Sequence, residues 1–162
     1  MTLVLARVDD RLVHGQVVVG WATALRARRL LVVDDAAAGR AWERELMAAS
    51  AGELAVRVVA TAEAAAALAE EAARPEPAIA LFRSPHTALA AVAAGAALTE
   101  LNLGGLHHAP GKERVLDYVY LDAADRAALA ELAARGVRVV AQDLPSTAPV
   151  EARAWLRSAP GA

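Results

Sequence analysis

Short runs of branched aliphatic residues alternate along this chain with longer stretches whose apolar positions recur at helical spacing. The first run, at 3–8 (LVLARV), reads as a buried strand, followed by helical character over 16–26 and a second strand at 30–33. Asp34 and Asp35 then stand as N-caps for a helix over 37–49. A third strand is expected at 54–59, and Thr61 caps an Ala-rich helix over 62–73 that must end at the Arg-Pro-Glu-Pro segment, because proline cannot continue a helix. The fourth strand falls at 78–82. Ser84 followed by Pro85 marks a helix start, with Gly95 as its stop. A fifth strand at 100–103 ends in Gly104-Gly105, and a polar loop over 106–114 leads to a strand at 115–121. A helix over 122–135 closes on Gly136, a last strand spans 137–141, and the tail over 145–155 packs one or two further helical turns. Strands separated by crossover-length helices define an α/β protein. No linker interrupts the pattern, so 1–162 reads as a single domain.

Composition removes several functions. Hydrophobic residues make up 57% of the chain, but Ala supplies 44 of the 162 positions, so the larger apolar side chains are ordinary in number. The Ala-rich segments at 62–73 and 88–97 carry Leu or Val at helical spacing and belong to compact helices. The longest strongly apolar run free of charge, 87–98, is far shorter than the ~20 residues of a membrane-spanning helix. Arg7, Asp9, Asp10 and Arg11 follow the first aliphatic run too closely for a signal peptide, and no Cys is present, which together predict a cytoplasmic chain. A net charge of −2 and only six aromatic residues disfavour nucleic acid as a partner.

In open α/β sheets ligands bind at the carboxyl ends of strands, so chemistry is sought in the loops that follow them. The densest polar cluster is Asp9-Asp10-Arg11-Leu12-Val13-His14-Gly15-Gln16, directly after the first strand. A neutral imidazole at His14 can take a phosphoryl group in line while helix N–H groups and an arginine balance its charge. Arg11 offers a fork for phosphate oxygens, and Gly15 lets the backbone approach closely. Asp10 or Asp9 can hold the ring NH and select the nitrogen that attacks. Against this, a lone loop histidine is more often satisfied by a neighbouring carboxylate, Arg11 more often forms a surface ion pair, and the two Asp more often serve turns and caps. It is the company of Asp10, Arg11 and Gly15 that favours chemistry at His14.

Asp34-Asp35 is read as a helix cap. Ser84 is either a cap, the favoured reading, or a donor to phosphate. Gly104 and Gly105 allow close backbone approach, and Lys112 offers a second positive charge; the plain alternative is a glycine turn and a solvated lysine. His107-His108 are adjacent, lack a third ligand at helical spacing, and are not read as a metal site. Neither glycine-rich phosphate cradle of nucleotide-binding proteins is present, so no cofactor is expected.

The stretch LVLARVDDRLVHGQV at 3–17 strongly resembles the opening of the IIB component of the mannose/fructose/sorbose family of the bacterial phosphotransferase system. The likeness continues through the aliphatic strand and Asp pair at 31–35, Leu81-Phe82-Arg83-Ser84-Pro85, Asn102-Leu103-Gly104-Gly105, and Gly111-Lys112. This resemblance implies an open sheet of about seven strands, mostly parallel with an antiparallel edge and helices on both faces. It implies a cytoplasmic phosphocarrier in which His14 is transiently phosphorylated on its pros nitrogen, with Arg11 and Asp10 beside it and Gly15, Gln16, Ser84, Gly104, Gly105 and Lys112 around the phosphate. A IIA protein would donate the group, and a sugar held by the membrane components IIC and IID would receive it; self-association is left open. The chain departs from the family at His107-His108-Ala109-Pro110, where an aromatic or polar residue and a charge are usual. Two other functions compete: a regulatory phosphoacceptor uncoupled from transport, and a small-ligand-binding domain in which His14 is a mere contact.

Overall fold

The structure, a computed structural model, describes residues 2–156. Its centre is a seven-stranded sheet in the order β3-β2-β4-β1-β5-β8-β9. Strands β1 (Leu3–Val8), β2 (Arg29–Val33), β3 (Ala55–Val59), β4 (Ala78–Phe82), β5 (Glu100–Leu103) and β8 (Arg138–Ala141) run parallel, and β9 (Val150–Glu151) pairs antiparallel at the edge. Side chains alternate between two apolar layers with the period of two that strands impose. Leu31 and Val33 of β2, with Ala80 and Phe82 of β4, enter one layer; Leu30, Val32, Ile79 and Leu81 enter the other.

The first layer is roofed by α4 (Ala64–Ala73), α5 (Pro85–Ala93) and α6 (Ala123–Ala134), which contribute Ala64, Ala67, Ala88, Ala91, Leu129 and Leu132. The buried alanines explain the composition, because a methyl at the contact lets these helices lie close to the sheet. The second layer is covered by a π-helical turn, Gln16–Trp21, running into α1 (Ala22–Leu25), with Val17, Trp21 and Ala22 inward.

Most expected elements appear at the expected places, with three differences. The helix expected over 37–49 is two helices, α2 (Asp35–Ala38) and α3 (Ala41–Ser50), because Arg40 between them is extended. The strand expected at 115–121 folds back on itself as β6 (Glu113–Leu116) and β7 (Val119–Leu121), an antiparallel pair outside the main sheet. The seventh strand is instead β9, in the tail that was expected to hold only helical turns; α7 (Arg153–Leu156) follows it.

From β1 the chain moves one way to β2 and β3, returns to insert β4, and then adds β5 and β8 on the other side. The carboxyl end of β1 therefore lies at the switch point, flanked by the ends of β4 and β5. Val8 pairs with both Phe82 and Leu103, and Leu103 pairs with Ala141, so four strands finish level and their loops share one rim.

Ala88 on α5 is fully buried. Ala88→Leu should overpack this helix against the sheet and lower the unfolding free energy by about 1–3 kcal/mol, read from the midpoint of urea unfolding.

Candidate phosphoryl-transfer site

The site starts from a charge inside a strand. Leu5, Arg7 and Asp9 alternate along β1 and its exit, and at Arg7 the face beneath the π-helical turn buries a guanidinium completely. A buried charge must be paired and hydrogen-bonded. Arg7 Nη1 donates to the Asn102 side-chain oxygen on β5 and, at 2.8 Å, to the Gln142 carbonyl. Its Nη2 donates to the Asp143 carbonyl at 3.1 Å and lies 3.4 Å from Asp9 Oδ2. Trp21 closes the cage, with its ring centroid 5.1 Å from the guanidinium carbon and its indole N–H on the Asp143 carbonyl. Burial pulls the Arg7 guanidinium below its ordinary value, against the opposing pull of Asp9.

Asp9, also fully buried, is the hub. Its Oδ1 accepts from the Arg11 amide at 3.1 Å and from Arg11 Nε at 3.3 Å, and its Oδ2 accepts from the Gly105 amide at 3.1 Å. The carboxylate-to-amide bond two residues on is the local chemistry that turns the chain here. Leu12 completes the turn in the left-handed region at φ 55°, an unfavourable conformation held because its side chain is fully buried beside Val17 and Trp21.

His14, two residues later, turns Nε2 inward to 3.1 Å from Asp9 Oδ2 in an ionic approach that is bent away from a linear hydrogen bond. Its Nδ1 has no partner among the described residues and is not enclosed. Burial alone would raise the Asp9 carboxyl; the His14 ring, the Arg11 amide and Arg7 overcome it and hold that carboxyl far below the usual carboxylate range. The two ring nitrogens of His14 therefore differ: Nε2 faces the Asp9 carboxylate and Nδ1 is open.

The structure separates the remaining candidates. Arg11 stands beside His14, with Nε on Asp9 and Nη2 donating to Gln16 Oε1 at 2.7 Å. A Cβ on Gly15 would meet nothing within 4 Å, so the chain faces open space at the residue after His14. Asp10 does not reach His14: its carboxylate accepts from the His107 amide at 2.8 Å and lies 2.6 Å from His107 Nδ1. Lys112 also turns away, its ammonium 2.9 Å from Asp125 Oδ2, while His86 approaches the other oxygen at 3.1 Å. Ser84 caps α5, accepting from the Thr87 amide at 3.3 Å. Asp34 caps α2 through the Ala37 amide and grips Arg83 with both oxygens, at 2.8 and 2.9 Å.

Gly104 is needed for space. A Cβ there would stand 2.1 Å from Arg7 Nη2. Sequence reading missed Arg7 itself, although a charge in the middle of an aliphatic strand was its signal. His107 and His108 diverge, the first to Asp10 and the second edge-on to Tyr120 at 5.5 Å, and among the described residues no cluster of three or more metal-ligating side chains forms.

Two outcomes test this geometry. Gly104→Ala should displace the Arg7 guanidinium and cost about 1–3 kcal/mol in urea unfolding. Asp9 is harder to protonate folded than unfolded, so its stabilisation is complete above the ordinary value of 3.8 and is lost as pH falls toward the depressed folded value. The stability difference between wild type and Asp9→Asn should therefore shrink as pH is lowered from about 5 to about 2, whereas a constant difference would refute the linkage.

The profile of the family described as "PTS system sorbose subfamily IIB component" matches residues 3–160. The sorbose-specific EIIB component of Klebsiella pneumoniae is 36% identical over 148 residues, covering 88% of this chain and 90% of that protein. The N-acetylgalactosamine-specific phosphotransferase enzyme IIB component 1 of Escherichia coli K12 is 34% identical over 144 residues, covering 88% and 91%. The crystal structure of the IIBSor domain of the K. pneumoniae sorbose permease superposes with a TM-score of 0.88 at 31% identity, each chain covered in full. This chain belongs to the sorbose subfamily of IIB components, the phosphotransferases that act as phosphocarriers in sugar uptake.

Proposed function

We propose that His14 is the residue that carries the phosphoryl group, on Nδ1. The observation that carries this reading is the asymmetry of the ring: Nε2 faces a buried carboxylate, whereas Nδ1 has no partner among the described residues and is not enclosed. Nδ1 attacks phosphorus in line, the bond from phosphorus to the donor ring nitrogen breaks, and its electron pair returns to the donor. Asp9 stabilises the positive charge that the His14 ring gains, as a buried carboxylate does for an imidazolium. Arg11 and the Gly15 and Gln16 amides meet the phosphoryl oxygens, since the next two amides, of Val17 and Val18, are already taken by the His14 carbonyl at 3.0 Å. Gln16 acts here by orienting Arg11. Gly104 and Gly105 act through Arg7 and Asp9, with no direct part in holding phosphate required.

The donor is the phosphohistidine of a IIA protein, and the acceptor is a sugar presented by the membrane components IIC and IID. No helix among the described residues is long and apolar enough to cross a membrane, which supports a carrier that meets the transporter from the cytoplasmic side through its partners. Relatives named for two different sugars match this chain almost equally, so the choice of sugar is assigned to IIC and IID. Neither of those relatives bears a regulatory name, and the transport role is preferred.

With phosphoenolpyruvate, enzyme I, HPr and a cognate IIA, the chain should take up one acid-labile, base-stable phosphate that maps to His14 by mass spectrometry. His14→Ala should take up none, and Asp9→Asn should be phosphorylated on the order of a hundredfold more slowly. Undiminished labelling of His14→Ala would overturn the assignment.

A further inference from the structure

A phosphoryl group arriving at His14 brings about two negative charges, and the cations around the rim are mostly engaged elsewhere. Arg7 is enclosed beneath Asp9, Arg83 is gripped by both oxygens of Asp34, and Lys112 is held by Asp125. Arg11 remains, with two of its nitrogens already bonded to Asp9 and Gln16. One further group of potential positive charge stands at the same place. His107 approaches Asp10 twice, through its amide at 2.8 Å and its Nδ1 at 2.6 Å. This fixes the ring and leaves Nε2 without a partner among the described residues, on a side chain 56% exposed. His107 Cε1 and Arg11 Nη2 lie 3.0 and 3.1 Å from the point where a Gly105 Cβ would stand, and Asp9 Oδ1 lies 3.4 Å from it. The absent side chain of Gly105 is what lets the ring, the guanidinium and the hub carboxylate converge.

Building on the assignment of His14 as phosphoacceptor, we propose that His107, oriented by Asp10, is a second phosphate-binding residue that donates from Nε2 to the phosphoryl group on His14 when protonated. The site then holds two Asp–His pairs with different tasks: Asp9 with His14 for bond making, and Asp10 with His107 for charge. The chemistry suits a carrier. A lysine or arginine would hold the dianion permanently, whereas an imidazole takes a proton from water as the phosphoryl group arrives and gives it back when the group leaves. The charged groups that face His107 are Asp10 at Nδ1, and Arg11 and Asp9 across Gly105. An arriving dianion on His14 adds negative charge beside the ring and favours its protonated form. His108 takes no part, because it packs on Tyr120.

The test uses the full chain, labelled with 15N and kept phosphorylated by phosphoenolpyruvate, enzyme I, HPr and IIA. The ring signals of His107 are followed from about pH 5 to 8 with and without phosphate. The expected result is an upward shift of the His107 titration midpoint, on the order of one pH unit, on phosphorylation of His14. Phosphorylation of His107→Gln by IIA should be slower by on the order of tenfold at the acidic end, with a flattened pH profile. Asp10→Asn, which frees the ring from its orienting carboxylate, should reduce the upward shift of the His107 midpoint. A His107 midpoint unmoved by phosphorylation, or a His107→Gln variant with the wild-type pH profile, would overturn the inference while leaving His14 as acceptor. Absence of phosphate on His14 would overturn the functional assignment and this inference with it.

Discussion

Arg7 and Asp9 form a fully buried pair, and the arrangement of three loops, those after β1, β5 and β8, follows from satisfying it. A guanidinium taken out of water needs acceptors in a fixed fork, and β1 alone cannot provide them. They come from Asn102 on β5, from the carbonyls of Gln142 and Asp143 after β8, and from Asp9 after β1 itself. Asp9 in turn gathers the Arg11 and Gly105 amides and the His14 ring. Removing one member of such a pair leaves the other as an uncompensated buried charge, at a cost of about 3–5 kcal/mol. The same interactions that align the His14 ring are thus bound up with the stability of the sheet's carboxyl rim, and the position of His14 is defined from beneath as much as by its own loop.

The glycines after β5 acquire their meaning from this network. Gly104 and Gly105 are buried, and each has space claimed by a charged side chain: the Arg7 guanidinium at one, His107 and Arg11 at the other. Gly15 differs, since its backbone is helical and its surroundings are empty. One pair of glycines makes room for protein groups, and the single glycine borders open space. Composition has a parallel logic at a larger scale, because the buried alanines of α4 and α5 let short helices sit close on the sheet.

The polar assignments show where sequence and structure part. In Asp9-Asp10 the order of two identical residues decides everything, since alternation along β1 sends Asp9 under the π-helical turn and lets Asp10 reach across to His107. Lys112 was a reasonable candidate on charge alone, yet its partner Asp125 sits on α6, 13 residues away in the chain. Arg7 was legible as an oddity, a charge in an aliphatic run, but apart from Asp9 its acceptors lie 95 residues downstream on β5 and 135 and 136 residues downstream just after β8.

By itself the sequence determined the α/β class, the span of β1, β4 and β5, the caps at Asp34 and Ser84, and the concentration of polar and titratable side chains in the loop after β1. These are local properties, set by periodicity of side chains, by capping and by proline and glycine. The tertiary structure alone decided which strands are neighbours, that residues 115–121 turn back into a hairpin outside the sheet, which aspartate faces His14, and that His107 joins the rim. Each of those depends on contacts between residues far apart in the chain, where the energy of an interaction is fixed by three-dimensional packing and by the need to pair every buried charge.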